Sequence, residues 1–305
     1  MLRYQIMSSS RRAPIPLSRE CVAELIGTFM LVFFGVGSVQ AAVIAGAQTG
    51  IWQVAVVWGI GIALAIYATG AISGAHLNPS VTIAMATFRG FPWRKAVPYI
   101  LSQLGGAVLG ALVLYALFHA QIAAFEAAKG IVRGGQGSEA SAMVFGEYFP
   151  NPGVAASNPA FKDVSMLAAM LAEAVGTAVL AFAIFFLTDE RNKGRPDGRL
   201  APLFIGLTVS LLISILAPLS QAGFNPARDF GPRVVAFFAG WGSVAIPGPR
   251  GGFFTVYILS PVIGALAGGA IYKYLLAKAF ISDDGARPMV EEVPELVREI
   301  EAMKS

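Results

Sequence analysis

The chain carries the same pattern twice. AELIGTFMLVFF begins at Ala23 and AEAVGTAVLAFAIFF begins at Ala172. Their glutamates, Glu24 and Glu173, stand 149 positions apart. A second pair of markers, NPS at Asn78 and NPA at Asn225, stands 147 apart. Two independent markers at nearly one offset define an internal repeat, and any fold must honour it.

The apolar runs say what is repeated. Crossing the hydrocarbon of a bilayer takes roughly 20 mostly apolar residues. Six segments qualify: 21–45, 51–71, 97–119, 165–187, 201–219 and 253–277. Two shorter apolar stretches, 78–88 and 225–239, each open on an Asn-Pro. Runs of about 10–14 residues read as re-entrant or buried pieces rather than spans. Each half therefore holds three spans and one Asn-Pro segment. An odd number of spans inverts the second half relative to the first. The Asn-Pro segments then enter from opposite faces and meet near the midplane. The expected fold is an all-α membrane protein: six transmembrane helices plus two re-entrant half-helices in an inverted repeat.

Composition agrees. Only 13% of the residues are charged, against about 25% in a soluble domain. A net charge of +4 and a pI near 9.3 could suggest a nucleic-acid partner, but the basic residues sit where loops would be, so no nucleic acid is expected. Sixteen of the 22 lie in the amino-terminal segment, after the second and fourth spans, and in the tail. Cytoplasmic loops are the Lys/Arg-rich ones, so both termini are expected inside. The first apolar run is long and has no evident small-residue cleavage site, so it reads as a retained span rather than a signal peptide. The expected organisation is a cytoplasmic segment 1–19, a channel domain 20–276 with halves 20–119 and 165–276, an extracellular connection 120–164, and an acidic, solvated cytoplasmic tail 277–305. A single cysteine, Cys21, excludes an intrachain disulfide framework.

Asn-Pro has a physical meaning at a helix start. Proline suits the first helical position because its missing N–H would be unpaired there, and asparagine is a favoured N-cap. Asn78-Pro79-Ser80 and Asn225-Pro226-Ala227 are thus expected to open two short helices whose N-termini, each worth roughly half a positive charge, face each other. Such ends repel cations and protons while amide donors serve a passing hydroxyl. Irregular backbone at membrane depth is tolerated only in protein or along a water-filled path, which suits 73–77 and 218–224. Carboxylates inside spans are costly and usually paired; Glu24 and Glu173 are expected to brace these irregular connections. Arg228 is expected at the outer end of the pore, and His76 on the inner connection. A secondary transporter would also use broken helices, but no carboxylate besides the two braces offers an ion site. Two histidines and one cysteine leave an enzyme without an evident nucleophile, metal cluster or acid–base pair, and no cofactor is expected.

SGAHLNPSVT at Ser73, GFNPARDFGPR at Gly223 and the paired AExxGT segments resemble the major intrinsic protein family, the aquaporins and glycerol facilitators. The resemblance implies a right-handed six-span bundle, a homotetramer in the lipid bilayer and one pore per subunit. Asp229 after Arg228, and Arg233 after FGP, resemble the glycerol-conducting branch, as does the long third connection. Asp229 joins Glu24, Glu173 and His76 as an expected structural residue. By alignment the family's narrowest ring falls on Trp52, Ile213, Ala222 and Arg228. Ile213 and Ala222 depart from glycerol facilitators and, with Ser80, resemble the plant nodulin 26-like members. The resemblance implies glycerol and some water as solutes, with urea or arsenite and antimonite hydroxides as the alternative.

Overall fold

A computed structural model describes residues 15–283. Most of the expected segment 1–19 and tail 277–305 lies outside that range. The principal helices are α1 (Leu17–Val43), α2 (Ile51–Ser73), α3 (Pro79–Phe88), α4 (Trp93–Lys129), α5 (Met166–Thr188), α6 (Ala201–Ser220), α7 (Pro226–Ala236) and α8 (Thr255–Phe280). Six of them, all but α3 and α7, are long and apolar enough to span a membrane. Large apolar side chains such as Val97, Leu101, Leu167 and Leu171 lie exposed along their outer faces. An apolar surface this extensive is what a lipid-facing protein presents.

The repeat is visible in the packing. α1 packs on α2 and α4, α5 packs on α6 and α8, and α2 meets α6 across the middle. Small residues set these approaches. A Cβ on Gly59 would meet the Gly206 carbonyl and one on Gly206 the Gly59 carbonyl, while Gly106 and Gly264 would strike the Leu25 and Ala174 carbonyls. Membrane helices use such small residues to bring backbones together. The half-helices cross over: α3, from the first half, packs against α8, and α7, from the second, packs against α4.

One expectation about extent needs correction. The third span does not end at His119; α4 continues to Lys129, because AQIAAFEAAK has strong helix formers and no breaker before Gly130. The connection after it folds back onto the bundle. Phe145, Glu147 and Tyr148 are buried, since residues 143–149 turn inward and bond to α7 and its preceding turn.

Candidate functional site: two cavities joined at one neck

Asn78 caps α3 by accepting from Ser80 N at 2.9 Å, and Asn225 caps α7 by accepting from Ala227 N at 3.0 Å and Arg228 N at 3.2 Å. Pro79 and Pro226 occupy the first helical positions. Each asparagine amide then reaches the other half. Asn78 Nδ2 donates to Phe224 O at 2.9 Å, and Asn225 Nδ2 donates to Leu77 O at 2.8 Å. An amide nitrogen has two protons, so each retains one for the path.

The turns before the caps are contorted alike. Gly74, Ala75 and Leu77 have φ of 85°, 50° and 52°; Gln221, Ala222 and Phe224, each 147 positions on, have 62°, 65° and 52°. Left-handed backbone in residues with a Cβ costs energy and persists only where the surroundings over-determine it. Here the buried carboxylates do so. Glu24 accepts from Ser73 Oγ (2.6 Å), His76 N (2.9 Å), Leu77 N (2.8 Å) and Gln103 Nε2 (2.8 Å). Glu173 accepts from Ser220 Oγ (2.7 Å), Gly223 N (2.9 Å) and Phe224 N (2.7 Å). The glycine of each AExxGT segment has its own reason: a Cβ on Gly27 would collide with Leu77, and one on Gly176 with Phe224. The N–H groups of Gly74 and Gln221 go back to the preceding helices, those of Ala75 and Ala222 to Ser73 and Ser220 Oγ, and those of His76 and Gly223 to the glutamates, while the carbonyls of residues 74–76 and 221–223 accept no bond from the described protein.

An inner cavity of about 270 Å³ is lined by these turns, by Asn78 and Asn225, and by apolar side chains down to Thr188 and Ala201. An outer vestibule of about 420 Å³ is lined by Gln48, Val54, Glu147 and Gln221 among others. Four residues line both: Trp58, Ile213, Ala222 and Arg228. They are the neck between the two spaces. Ile213, Ala222 and Arg228, three of the four positions expected in the narrowest ring, come together here. Trp52 does not. It sits on the first turn of α2, 54% exposed, and lines neither cavity. Trp58, six residues on, takes the place. Six residues move a helical position about 9 Å along the axis and roughly 240° around it, so the misplaced tryptophan points out of the bundle.

Arg228 is not a free cation. Its guanidinium lies 4.4 Å from the centre of the Trp58 ring, Nη1 donates to Phe145 O at 3.2 Å, and Nη2 pairs with Glu147 Oε1. Burial pushes the Glu147 carboxyl up to about 8 against the pull of Arg228. Asp229 ties down the same inward loop: Oδ1 accepts from Glu147 N at 2.7 Å, and Oδ2 from Arg233 Nε at 2.7 Å. Arg233 also donates to Ala245 O at 2.7 Å and to Glu147 O. Sequence reasoning missed Glu147 and Gln103 as partners of the site. A carboxylate in a long polar connection and a glutamine in a span carry no periodic signal that would single them out.

Two half-helices meeting head to head inside a six-span bundle, with two cavities that share the lining Trp58, Ile213, Ala222 and Arg228, define a helical membrane channel. Comparison places it further. The major intrinsic protein family model matches residues 11–272, and the chain belongs to that family. It is 44% identical over 263 residues to a propanediol uptake facilitator of Citrobacter freundii, covering 86% of this chain and 93% of the relative. It is 43% identical over 288 residues to a glycerol uptake facilitator protein of Pseudomonas aeruginosa, covering 94% and 98%. The solved aquaglyceroporin of Plasmodium falciparum shares the fold, with a TM-score of 0.75 at 22% identity over 88% of this chain and 100% of that one. The protein is a passive channel of the membrane, not an enzyme.

Proposed function

We propose that the chain is a facilitator of small neutral polyols, glycerol foremost, with some water. The neck carries the reading. Trp58 gives a flat apolar wall, Ile213 an aliphatic one and Ala222 almost none, while Arg228 supplies fixed donors. A molecule with carbon on one side and hydroxyls on the other suits that ring: C–H groups slide along Trp58 and Ile213 while hydroxyls meet Arg228. The relatives named for glycerol and propanediol support the same solute class. In this reading Trp58, Ile213, Ala222 and Arg228 are the selectivity filter, and Asn78 and Asn225 the central donors. Both termini face the cytoplasm, residues 120–164 lie outside, and the protein works as a homotetramer with one path per subunit.

The small Ala222 side chain favours a second reading. A neck without a second aromatic wall also admits urea and the neutral hydroxides of arsenic and antimony. Stopped-flow measurements on proteoliposomes with glycerol, 1,2-propanediol, urea, arsenite and water decide between them. The expected result is polyol flux that grows linearly with the gradient, ignores proton and sodium gradients, and exceeds urea and arsenite flux at equal gradient. Concentrative uptake driven by either ion overturns the channel reading; urea or arsenite exceeding both polyols assigns the solute to the second.

A further inference from the structure

The inner cavity holds one imidazole whose proton is placed by its neighbours. His76 lies on the turn before α3 and is 7% exposed, and it lines the inner cavity. Its ring is clamped by Phe91 at 4.6 Å and Tyr99 at 5.2 Å between centres. Nδ1 lies 3.2 Å from Thr82 Oγ1. No protein group among the described residues bonds Nε2, yet that nitrogen is not sealed among the buried, unpartnered atoms. Its open side is the channel.

Three contacts crowd the Thr82 hydroxyl. It lies 3.0 Å from Asn78 O, 3.0 Å from Gln103 Nε2 and 3.2 Å from His76 Nδ1. The Gln103 amide is oriented by Glu24, which takes its other proton at 2.8 Å. Gln103 is therefore a donor to Thr82. A hydroxyl has one proton and two lone pairs. The carbonyl of Asn78 can only accept, so the single proton goes there. One lone pair takes the Gln103 proton, and the other is left facing Nδ1. That position requires a proton on Nδ1. The opposite arrangement would press Thr82 Oγ1 against Asn78 O at 3.0 Å with no proton between them. Which imidazole nitrogen is protonated is set by the bond the other nitrogen makes.

We propose that Glu24, Gln103 and Thr82 lock His76 in the tautomer protonated on Nδ1, so that Nε2 presents a lone pair to the channel and accepts the hydroxyl proton of the passing solute. The proposal rests on the channel reading above and deepens it. At the centre Asn78 and Asn225 offer N–H donors, and just inward the solute meets an acceptor nitrogen beside the unbonded carbonyls of Gly74 and Ala75. A neutral molecule that both accepts and donates, as every alcohol does, is served at both stations. A solute with acceptors alone is served at one.

Histidine-selective nitrogen-15 NMR of the full-length protein in lipid bilayers tests this directly, because the chain has two histidines, His76 and the exposed His119, which His119→Gln removes from the spectrum. The wild type is expected to show a protonated Nδ1 and an unprotonated Nε2 for His76 at neutral pH. Thr82→Val keeps the shape but removes the acceptor. It should let the proton pass to Nε2 and lower glycerol flux about fivefold, the weight of one neutral hydrogen bond, while Thr82→Ser restores both. His76→Phe keeps a ring between Phe91 and Tyr99 and should lower glycerol flux alike, which serves if Thr82→Val fails to assemble. A wild-type signal from a protonated Nε2 overturns the proposal, and so does undiminished glycerol flux in His76→Phe or in a Thr82→Val protein whose proton has moved. If the wild type passes no glycerol at all, the channel reading fails, while the tautomer signal is still read independently.

Discussion

The two halves share a frame and differ in chemistry. In both, a glutamate on the first helix of the half holds a left-handed turn, and an asparagine caps the half-helix that follows. What surrounds the frame diverges. Beside α3 the polar groups are neutral: Thr82, Gln103 and His76. Beside α7 stand charged groups, Arg228, Asp229 and Arg233, gathered around the buried Glu147 carboxyl. The third residue after Asn78 is Val81, whereas the third after Asn225 is Arg228. Both line the path. One scaffold occurs twice, and the two copies carry different side chains around it. On the reading proposed above, the half that carries Arg228 would sort solutes and the half that carries His76 would pass on what has been admitted.

That contrast can be broken at its shared part first. Glu24→Ala and Glu173→Ala each strand several buried donors, at about 1–3 kcal/mol per unsatisfied group. Both variants should therefore lose most of their thermal stability in detergent, to similar extents. If one tolerates the change, the braces are not equivalent and the frame is not truly repeated.

The next largest effect concerns the divergent part. Arg228→Val gives the second half the residue type of the first. Removing Arg228 alone leaves the buried Glu147 carboxyl without its partner, at about 1–3 kcal/mol for an unsatisfied group, so the variant is best made with Glu147→Gln. The folded double variant should pass polyols longer than glycerol at a several-fold higher rate and leak cations, measured by stopped-flow light scattering and by tracer flux. An unchanged profile would move the seat of sorting away from the outer half.

The smallest effect is a pH response. The ordinary carboxyl value is 4.5 and Glu147 is pushed up to about 8. Its folded form thus keeps a proton that the unfolded chain releases, and stability falls as pH rises through that window. In function, a fall in outer pH from about 9 to 7 should protonate Glu147 and loosen its hold on Arg228, changing glycerol flux two- to threefold with a midpoint near 8. Glu147→Gln should abolish the step. A step that survives the substitution belongs to another group.

Much of the frame is legible in the sequence because it obeys counting rules. Span length, the Asn-Pro starts and the repeated AExxGT segments fix six crossings, two half-helices and two buried carboxylates. Sidechain direction is less legible. Trp52 and Trp58 share a helix, and only its rotation within the bundle says which one faces the path. Least legible are contacts made at long range by residues of no fixed pattern. Glu147 reaches Arg228 from a connection without periodicity, and Gln103 reaches Thr82 from a span whose other residues face lipid or helices. Both need the fold before they mean anything.

The crossed asparagine bonds carry a consequence for how the protein comes to exist. Asn78 depends on a carbonyl 146 residues later, and Asn225 on one 148 residues earlier. A polar group left unpaired in hydrocarbon costs several kcal/mol. During synthesis the first half-helix therefore cannot settle when its own half is complete. Its tip stays unfinished until Phe224 has been made and brought into the bilayer, and one closing step then completes both tips together. The pore is born whole, late in the life of the nascent chain.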